Sequence, residues 1–155
     1  MERKMRHSER ELNVEDAKKL LVKGKTGTLA VNGDDGYPYA VPVNYIYMDD
    51  AVYIHSAKYG YKIDAVSADS KVCLSVILYN EIIESETTTK FESVIVTGNA
   101  SVLTEDDEKQ RIMEGMVKTL APSNINGGME TIKKLLPAVC IIKIDISKLS
   151  GKAYR

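Results

Sequence analysis

The stretch Tyr53 to Val66, Tyr-Ile-His-Ser-Ala-Lys-Tyr-Gly-Tyr-Lys-Ile-Asp-Ala-Val, decides how the rest of the chain is interpreted. It begins within an apolar segment, Ala51 to Ile54, that predicts a short strand. A turn of small residues follows, and a helix is predicted from Tyr61 to Ser67, because Ile63 and Val66 then share one face. The stretch therefore predicts a strand, a turn and a helix in direct succession.

The turn of this unit is suited to an anion. A helix that begins near Gly60 points its free N–H groups and the positive end of its dipole into the turn, where Ser56 and Ala57 leave room for a ligand. The helix dipole disfavours a positive charge such as Lys62 in the first turn, unless an anion lies between the lysine and the helix N-terminus. The alternative is that Lys62 is a solvated surface lysine and His55 an ordinary strand-end histidine, and these residues alone do not decide between the two interpretations.

Length and composition indicate one domain over residues 1–155. The chain has 155 residues, of which 44% are hydrophobic, and a formal charge of −1 with acids and bases interspersed. We expect no nucleic-acid partner, because no cluster of Lys and Arg accompanies the aromatic residues.

The remaining composition argues against a membrane and a metal site. The N-terminus is charged and no apolar run is long enough to span a bilayer, so we expect a cytoplasmic protein without a membrane partner. Cys73 and Cys140 lie in apolar runs and are expected to be reduced core residues. With only His7 and His55 as histidines, no spacing suggests a zinc site, and neither cysteine lies on a predicted turn where a nucleophile would be exposed.

Periodicity and capping residues predict the other elements along the chain. Helices are expected between the caps Asn13 and Gly24, over Tyr61 to Ser67, from the cap Thr104 to Leu120, and from Met129 to Leu136 after Gly127-Gly128. Six strands are expected over Thr28 to Val31, Tyr37 to Tyr47, Ala51 to His55, Lys71 to Tyr79, Lys90 to Leu103 and Ala138 to Ile146. The segment from Asn80 to Thr89 is interpreted as a hairpin excursion or a loop.

The six strands predict an α+β fold built on an antiparallel barrel. Pro38 and Pro42 cannot donate to a ladder, so the second strand must be an edge or carry a bulge there. Gly98 predicts a bulge or bend in the long fifth strand, as a barrel requires. A closed or nearly closed barrel with peripheral helices fits this pattern. An open sheet with helices on one face fits it as well, and periodicity does not separate the two.

Four pieces in a fixed order carry a family resemblance: Thr28-Leu29-Ala30, Pro42-Val43-Asn44-Tyr45, His55-Ser56-Ala57 with Gly60-Tyr61-Lys62, and Glu92-Ser93-Val94-Ile95-Val96-Thr97-Gly98. Together they resemble the FMN-binding split barrels related to pyridoxamine 5′-phosphate oxidase, and most closely the nitroimidazole-resistance branch. The resemblance covers almost the whole chain, from Met5-Arg6-His7 to Ser150-Gly151-Lys152. It implies a six-stranded antiparallel split β-barrel with peripheral helices.

The resemblance also implies a homodimer that holds FMN in a cleft between subunits. Carried over to this sequence, Lys62 and Ser93, with Val94 beside it, would lie at the phosphate, as would Ser56 or Ala57 through the backbone. The residues at the flavin edge would be Pro42, Val43, Asn44 and Tyr45. Of these, Val43 to Tyr45 would offer main-chain N–H and C=O groups of an edge strand that Pro42 leaves free. Taken singly, Ser93 and Asn44 are also explained by the ordinary polarity of strands and bulges. With the resemblance, five tyrosines are expected at the dimer interface and the cofactor wall: Tyr37, Tyr39, Tyr45, Tyr47 and Tyr53.

His55 is the candidate catalytic residue. In the nitroimidazole-resistance branch the histidine at this motif position is associated with substrate-side chemistry, and imidazole suits proton transfer near neutral pH. His55 would alternatively only position the flavin. The sequence departs from the commonest pattern at Tyr61, where a basic residue is frequent, and by an acidic excursion from Glu81 to Glu86. Both departures bear on the identity of the substrate.

The resemblance predicts an FMN-dependent oxidoreductase that reduces a small acceptor, such as a nitro compound, with NAD(P)H as a candidate donor. No GxGxxG fingerprint for a nicotinamide cofactor follows a strand. A pyridoxamine phosphate oxidase is less favoured, because only Lys152 and Arg155 remain near the C-terminus as basic residues for a substrate phosphate. The alternatives from another class are a non-catalytic flavin binder or sensor and a cofactor-free dimeric interaction module.

Overall fold

The computed structural model describes residues 3–155, which form four α-helices and an antiparallel sheet of eight strands. Met1 and Glu2, where the charged N-terminal segment begins, lie outside this range. The helices are α1 (Val14–Lys23), α2 (Tyr61–Ala68), α3 (Asp106–Leu120) and α4 (Ile125–Leu135). The strands are β1 (Glu11–Leu12), β2 (Thr26–Asn32), β3 (Pro38–Asn44), β4 (Ile46–Met48), β5 (Ala51–Ala57), β6 (Lys71–Ile83), β7 (Thr88–Leu103) and β8 (Val139–Tyr154).

The strands follow the order β3-β2-β6-β7-β8-β5-β4, and β1 pairs with β8. The two edge strands β3 and β4 are consecutive in the chain and are separated by Tyr45 alone. The curled sheet is therefore closed by the chain itself rather than by a ladder of hydrogen bonds. The predicted α+β antiparallel barrel is confirmed, and so is the edge position of the strand that contains Pro38 and Pro42.

The strand count of six was too low because Tyr45 divides the second predicted strand. The Tyr45 N–H donates to Lys25 O (3.0 Å), and its buried hydroxyl donates to Leu21 O (2.7 Å). These bonds turn the chain out of the β2 ladder after Asn44, so β3 and β4 pair with different strands. The short strand β1 at Glu11–Leu12 supplies the eighth, and its two-residue length gave no periodic signal.

The long strands β6, β7 and β8 carry the curl. The register of β7 against β8 shifts between Thr97 and Gly98, which confirms the predicted bulge. A side chain at Gly98 would collide with the carbonyl of Asp145. The last strand continues well past the predicted end at Ile146, because the ladder with β7 continues to the pair Phe91 and Tyr154. The segment from Asn80 to Thr89 is a hairpin, as one of the two interpretations had it.

Two apolar cores lie on opposite faces of the sheet. The inner core fills the barrel and includes residues of α1, α2 and most strands, such as Leu21, Leu29, Ile54 and Val94. The outer core lies where α3 and α4 cover β4, β5 and the start of β8, and it includes Tyr53, Met116 and Ile132. The separation follows from strand alternation, since Ile54 and Tyr53 point to opposite faces of β5.

The ends of α3 and α4 differ from the prediction. Helix α3 is capped by the backbone of Glu105 without a side-chain hydrogen bond, so Thr104 is not its cap. Helix α4 begins at Ile125 and contains both Gly127 and Gly128, which were expected to precede it. A side chain at Gly128 would collide with Val117 on α3. The glycine thus permits a close helix crossing instead of a turn. Within residues 3–155, no helix has the length and apolar character that a bilayer crossing requires.

A buried lysine joins α3 to the start of β8. Lys109 is 1% exposed, and its ammonium group donates to Leu136 O (2.7 Å) and Val139 O (2.9 Å). Its third neighbour is the exposed Asp106 carboxylate at 3.5 Å. The lysine therefore satisfies two carbonyl groups at the point where α4 gives way to β8, and a buried charge placed in this way is retained only because it is fully hydrogen-bonded.

We predict that Lys109→Met lowers the free energy of unfolding by about 2–3 kcal/mol, because it leaves two buried carbonyl groups without a donor. Urea unfolding followed by circular dichroism measures the change. The matched control is Lys118→Met on the same helix, where the lysine is exposed and a change below about 0.5 kcal/mol is expected. Equal stability of the two variants would contradict the role assigned to Lys109.

Candidate functional site

The turn between β5 and α2 is the site to which the sequence points most directly. Helix α2 begins after Gly60, whose φ of 137° is a conformation that side chains disfavour. The first intrahelical bond runs from the Asp64 N–H to Gly60 O (3.1 Å), and no side chain caps the N-terminus. The N–H groups of Tyr61, Lys62 and Ile63 therefore precede the helical hydrogen-bond pattern and remain available to a ligand.

Two lysines add positive charge beside this N-terminus. Lys58 and Lys62 form no ion pair with any residue in the described range 3–155. Both lie close enough to act on Cys140, which faces Ser56 across the β5–β8 ladder. Burial raises the pKa of the Cys140 thiol, and the positive charges of Lys109, Lys58 and Lys62 oppose that shift. The thiol stays protonated near neutral pH, and its sulfur lies 3.5 Å from Ala57 O.

The residues at this turn fit a phosphate group. Free helix N–H groups, the positive end of the dipole and two unpaired lysines all favour an anion. Gly60 has open space around the position that a Cβ would occupy, so a bound group can approach the backbone. Ser56 is buried on the inner face of β5, whereas Ala57 is exposed. A phosphate at the helix would thus meet the backbone of Ala57 more readily than the hydroxyl of Ser56.

Tyr61 connects this turn to the β2–β3 hairpin. Its hydroxyl lies 3.0 Å from both the backbone N and the carboxylate Oδ1 of Asp34, and it accepts from the former and donates to the latter. Its ring contacts the Tyr39 ring of β3, with centroids 4.8 Å apart. Position 61, where the commonest pattern has a basic residue, is therefore occupied in this chain by a tyrosine that fixes α2 against the hairpin. The unusual residue type at position 61 was the only sign of this contact in the sequence.

The predicted flavin-edge residues lie at the sheet edge, but only two present their side chains outward. Val43 and Tyr45 are buried in the inner core, whereas Pro42 and Asn44 are exposed. The Asn44 Oδ1 accepts a hydrogen bond from Thr26 Oγ1 (3.1 Å). The outer edge of β3 pairs with no strand in the described part of the chain. The main-chain groups on that side of β3 are therefore available to a ligand. The expectation does not hold for the N–H of Tyr45, because it donates to Lys25 O (3.0 Å).

Ser93 lies on β7, where it pairs with Ile77 on β6 and Lys152 on β8. Among residues 3–155, no hydrogen bond or ion pair joins it to Lys62. Its neighbour Val94 is fully buried in the inner core. We call the outward side of β6, β7 and the end of β8 the open face; it carries Ile77 and Ile95, which are 64% and 46% exposed.

His55 points away from Ser56 and towards the outer helices. Because side chains alternate along β5, His55 shares its face with Tyr53 and Ala57. Its imidazole is exposed, forms no hydrogen bond within the described residues, and lines a cavity of about 340 Å³ between α3 and α4. His55, Ala57 and Lys62 thus lie at the end of β5 and the start of α2, and the His55 side chain is on the outer face of the strand.

The tyrosines do not form one surface as expected. Tyr45 and Tyr53 are buried in the two cores of the chain itself, so their assignment to an interface or a cofactor wall was wrong. Tyr37 and Tyr39 are exposed at the β2–β3 hairpin. Tyr47 is half-buried and its hydroxyl donates to Asp50 (2.9 Å). Tyrosine type alone did not separate buried from exposed positions, since a tyrosine fits either one when its hydroxyl finds a partner.

The chain matches the family model described as pyridoxamine 5′-phosphate oxidase over residues 13–153. No curated protein sequence matches it. The match covers the β5–α2 turn, the edge strand β3 and the open face. It confirms the resemblance that the four ordered sequence pieces predicted.

Solved structures share the fold at low sequence identity. A candidate 5-nitroimidazole antibiotic resistance protein of Bacteroides thetaiotaomicron is 17% identical, with a TM-score of 0.72 over 92% of this chain and 85% of that chain. The flavocytochrome Anf3 of Azotobacter vinelandii is 19% identical, with a TM-score of 0.81 over 98% of this chain and 72% of that one. An FAD-binding protein of Mesorhizobium loti is 24% identical, with a TM-score of 0.68 over 94% and 98%. At these identities, the likeness is one of fold.

Proposed function

Because the chain belongs to the pyridoxamine 5′-phosphate oxidase family, we propose that it is a flavin-dependent oxidoreductase that binds FMN at the β5–α2 turn and reduces a small acceptor. The observation that carries the proposal is the uncapped N-terminus of α2 next to the unpaired Lys58 and Lys62. These groups are arranged for a dianion such as a phosphate monoester. The FAD-binding and flavocytochrome neighbours add support for a flavin.

FMN is favoured over FAD by the chemistry of the turn. A terminal phosphate carries more charge than one phosphate of a diester chain, and it can be surrounded by the free N–H groups of Tyr61, Lys62 and Ile63. From there the flavin would extend along the outer edge of β3, where Pro42 and Asn44 are exposed. The Tyr61 contacts with Asp34 and Tyr39 hold that edge at a fixed distance from the helix.

A bound flavin supplies the transfer of a hydride or of single electrons. The residues of this chain bind and orient the reactants. Lys58 and Lys62 hold the anionic end, and the unpaired edge of β3 offers main-chain donors and acceptors. His55 has both ring nitrogens free to exchange a proton with a bound acceptor, and this is the catalytic role that we assign to it.

A pyridoxamine phosphate substrate is less favoured by the C-terminal residues. Arg155 is paired with Glu92, with Nε 3.3 Å from the carboxylate, and the Lys152 ammonium lies 5.7 Å from the centre of the Phe91 ring. Both basic residues are therefore occupied within the chain. Family membership alone does not imply the substrate after which the family is named.

We also propose that the protein is a homodimer that associates through the open face. Ile77 and Ile95 are diagonal neighbours on adjacent strands, and the described residues place no helix over them. Burying such branched side chains against a second copy removes apolar surface from water. Association through this face would bring Ser93 of one copy towards the cofactor of the other, as the family resemblance implies.

The function is tested by anaerobic titration of the FMN-loaded protein with NADPH and then with NADH. We expect a yellow protein whose flavin absorption band is bleached by at least one donor and restored by a nitroaromatic acceptor. A protein that takes up no FMN would overturn the flavin site. A yellow protein that stays oxidised with both donors would instead support the non-catalytic binder or sensor.

The dimer is tested by sedimentation equilibrium of wild type and Ile95→Lys. We expect wild type to be dimeric at micromolar concentration. The lysine should weaken association by about tenfold or more, because it places an unpaired charge in an apolar interface. Val22→Lys on α1, where the valine is 54% exposed, is the matched control and should leave association unchanged. A monomeric wild type, or equal association of both variants, would contradict the assignment of the open face.

A further inference from the structure

The cavity between α3 and α4 is a second candidate binding site, which shares His55 with the proposed flavin site. Its volume is about 340 Å³, and its walls are apolar side chains of both helices, including Met113, Met116, Leu120 and Leu135. The floor is β5, which contributes His55. The cavity opens to solvent, and its volume falls in the range of small-molecule pockets.

The close approach of the two helices forms part of the cavity wall. Gly128 of α4 lies so close to Val117 of α3 that a side chain there would collide with it. Both residues line the cavity. Met113 and Met116 are flexible and polarizable, so they can adapt to a flat ring that enters between the helices.

The polar groups in the cavity restrict the chemistry of its occupant. His55 lies at the floor without a hydrogen-bond partner in the described chain, Asn124 and Thr131 lie among the lining residues, and no carboxylate or lysine takes part. An apolar pocket with one imidazole selects a molecule that is mostly apolar and carries a group able to bond with that imidazole.

The cavity is also next to the proposed flavin site. His55 and Ala57 lie two residues apart on the same face of β5, which corresponds to about 7 Å along a strand. A molecule in the cavity that contacts His55 therefore lies near the turn to which we assign the flavin.

We propose that the α3–α4 cavity binds a small aromatic molecule with one anionic or hydrogen-bond-accepting group, held by His55, and that this molecule is the acceptor. Its role as acceptor rests on the proposed function, whereas its binding does not. The acidic segment from Glu81 to Glu86 is at the far hairpin of β6 and β7 and does not line this cavity.

The test uses methionine methyl groups as reporters. The protein, labelled with ¹³C-methyl methionine and assigned by Met→Leu variants, is titrated with 1-naphthoate and with 1-methylnaphthalene, which lacks the carboxylate. We expect both probes to shift the Met113 and Met116 methyl resonances with saturation. Met5 and Met48, which do not line the cavity, should stay unchanged. Shifts spread evenly over all methionines, or none at Met113 and Met116, would overturn the proposal.

Two variants assign the contact. His55→Leu should weaken 1-naphthoate binding about fivefold and change 1-methylnaphthalene binding less than about twofold, because only the former loses a hydrogen bond. Leu135→Trp should block both probes, whereas Lys134→Trp, which is adjacent but outside the lining, should block neither. Equal loss of both probes in His55→Leu would contradict the role given to the imidazole.

The flavin absorption spectrum of the same samples separates the two proposals. Shifts of the Met113 and Met116 resonances in a protein that takes up no FMN would support ligand binding in the cavity and contradict the proposed flavin site. FMN uptake without these shifts would support the flavin site and contradict ligand binding in the cavity.

Discussion

The positive N-terminus of α2 is the interaction on which the account of this molecule depends. Three backbone N–H groups and the positive end of the helix dipole lie at this N-terminus, and two lysines without ion-pair partners in residues 3–155 flank it in the chain. Like charges brought together in this way repel, and the arrangement lowers its energy when an anion enters. The glycine at position 60, with its positive φ, lets the chain make this turn and leaves the space beside it free.

The remainder of the fold holds the surroundings of that turn in place. Strand β5 pairs with β8 along its whole length, so the start of the turn is fixed to the strand that also forms the long ladder with β7. Tyr61 fixes the other side to the β2–β3 hairpin through Asp34. The chain closes the barrel at Tyr45, whose buried hydroxyl bonds to the last turn of α1. The edge of β3 is thereby kept near the turn and unpaired, where a ligand can use its main-chain groups.

The sequence predicted the parts that local chemistry determines. Asn13 was correctly predicted to cap α1, where its side chain accepts from the Asp16 N–H, and two prolines marked the edge strand. The prediction from sequence failed where tertiary contacts override local preference. Gly127 and Gly128 resembled the start of a turn, but they lie within α4, and Gly128 allows the close approach to α3. The polar end of β8 continues as a strand because β7 pairs with it. The direction of the His55 side chain depends on which residues of β5 face the inner core, and the local sequence does not show this. The Tyr61–Asp34 contact joins residues 27 positions apart, so it has no local signal either.

The most direct test of the anion site compares FMN with riboflavin, which has the same ring system but no phosphate. Binding is measured by quenching of flavin fluorescence in wild type, Lys62→Met and, as control, Lys23→Met at the exposed end of α1. Our account predicts that Lys62→Met weakens FMN binding about tenfold. It predicts that riboflavin binding is unchanged and that Lys23→Met has no effect on either ligand. Equal affinity of wild type for FMN and riboflavin, or unchanged FMN affinity in Lys62→Met, would contradict it.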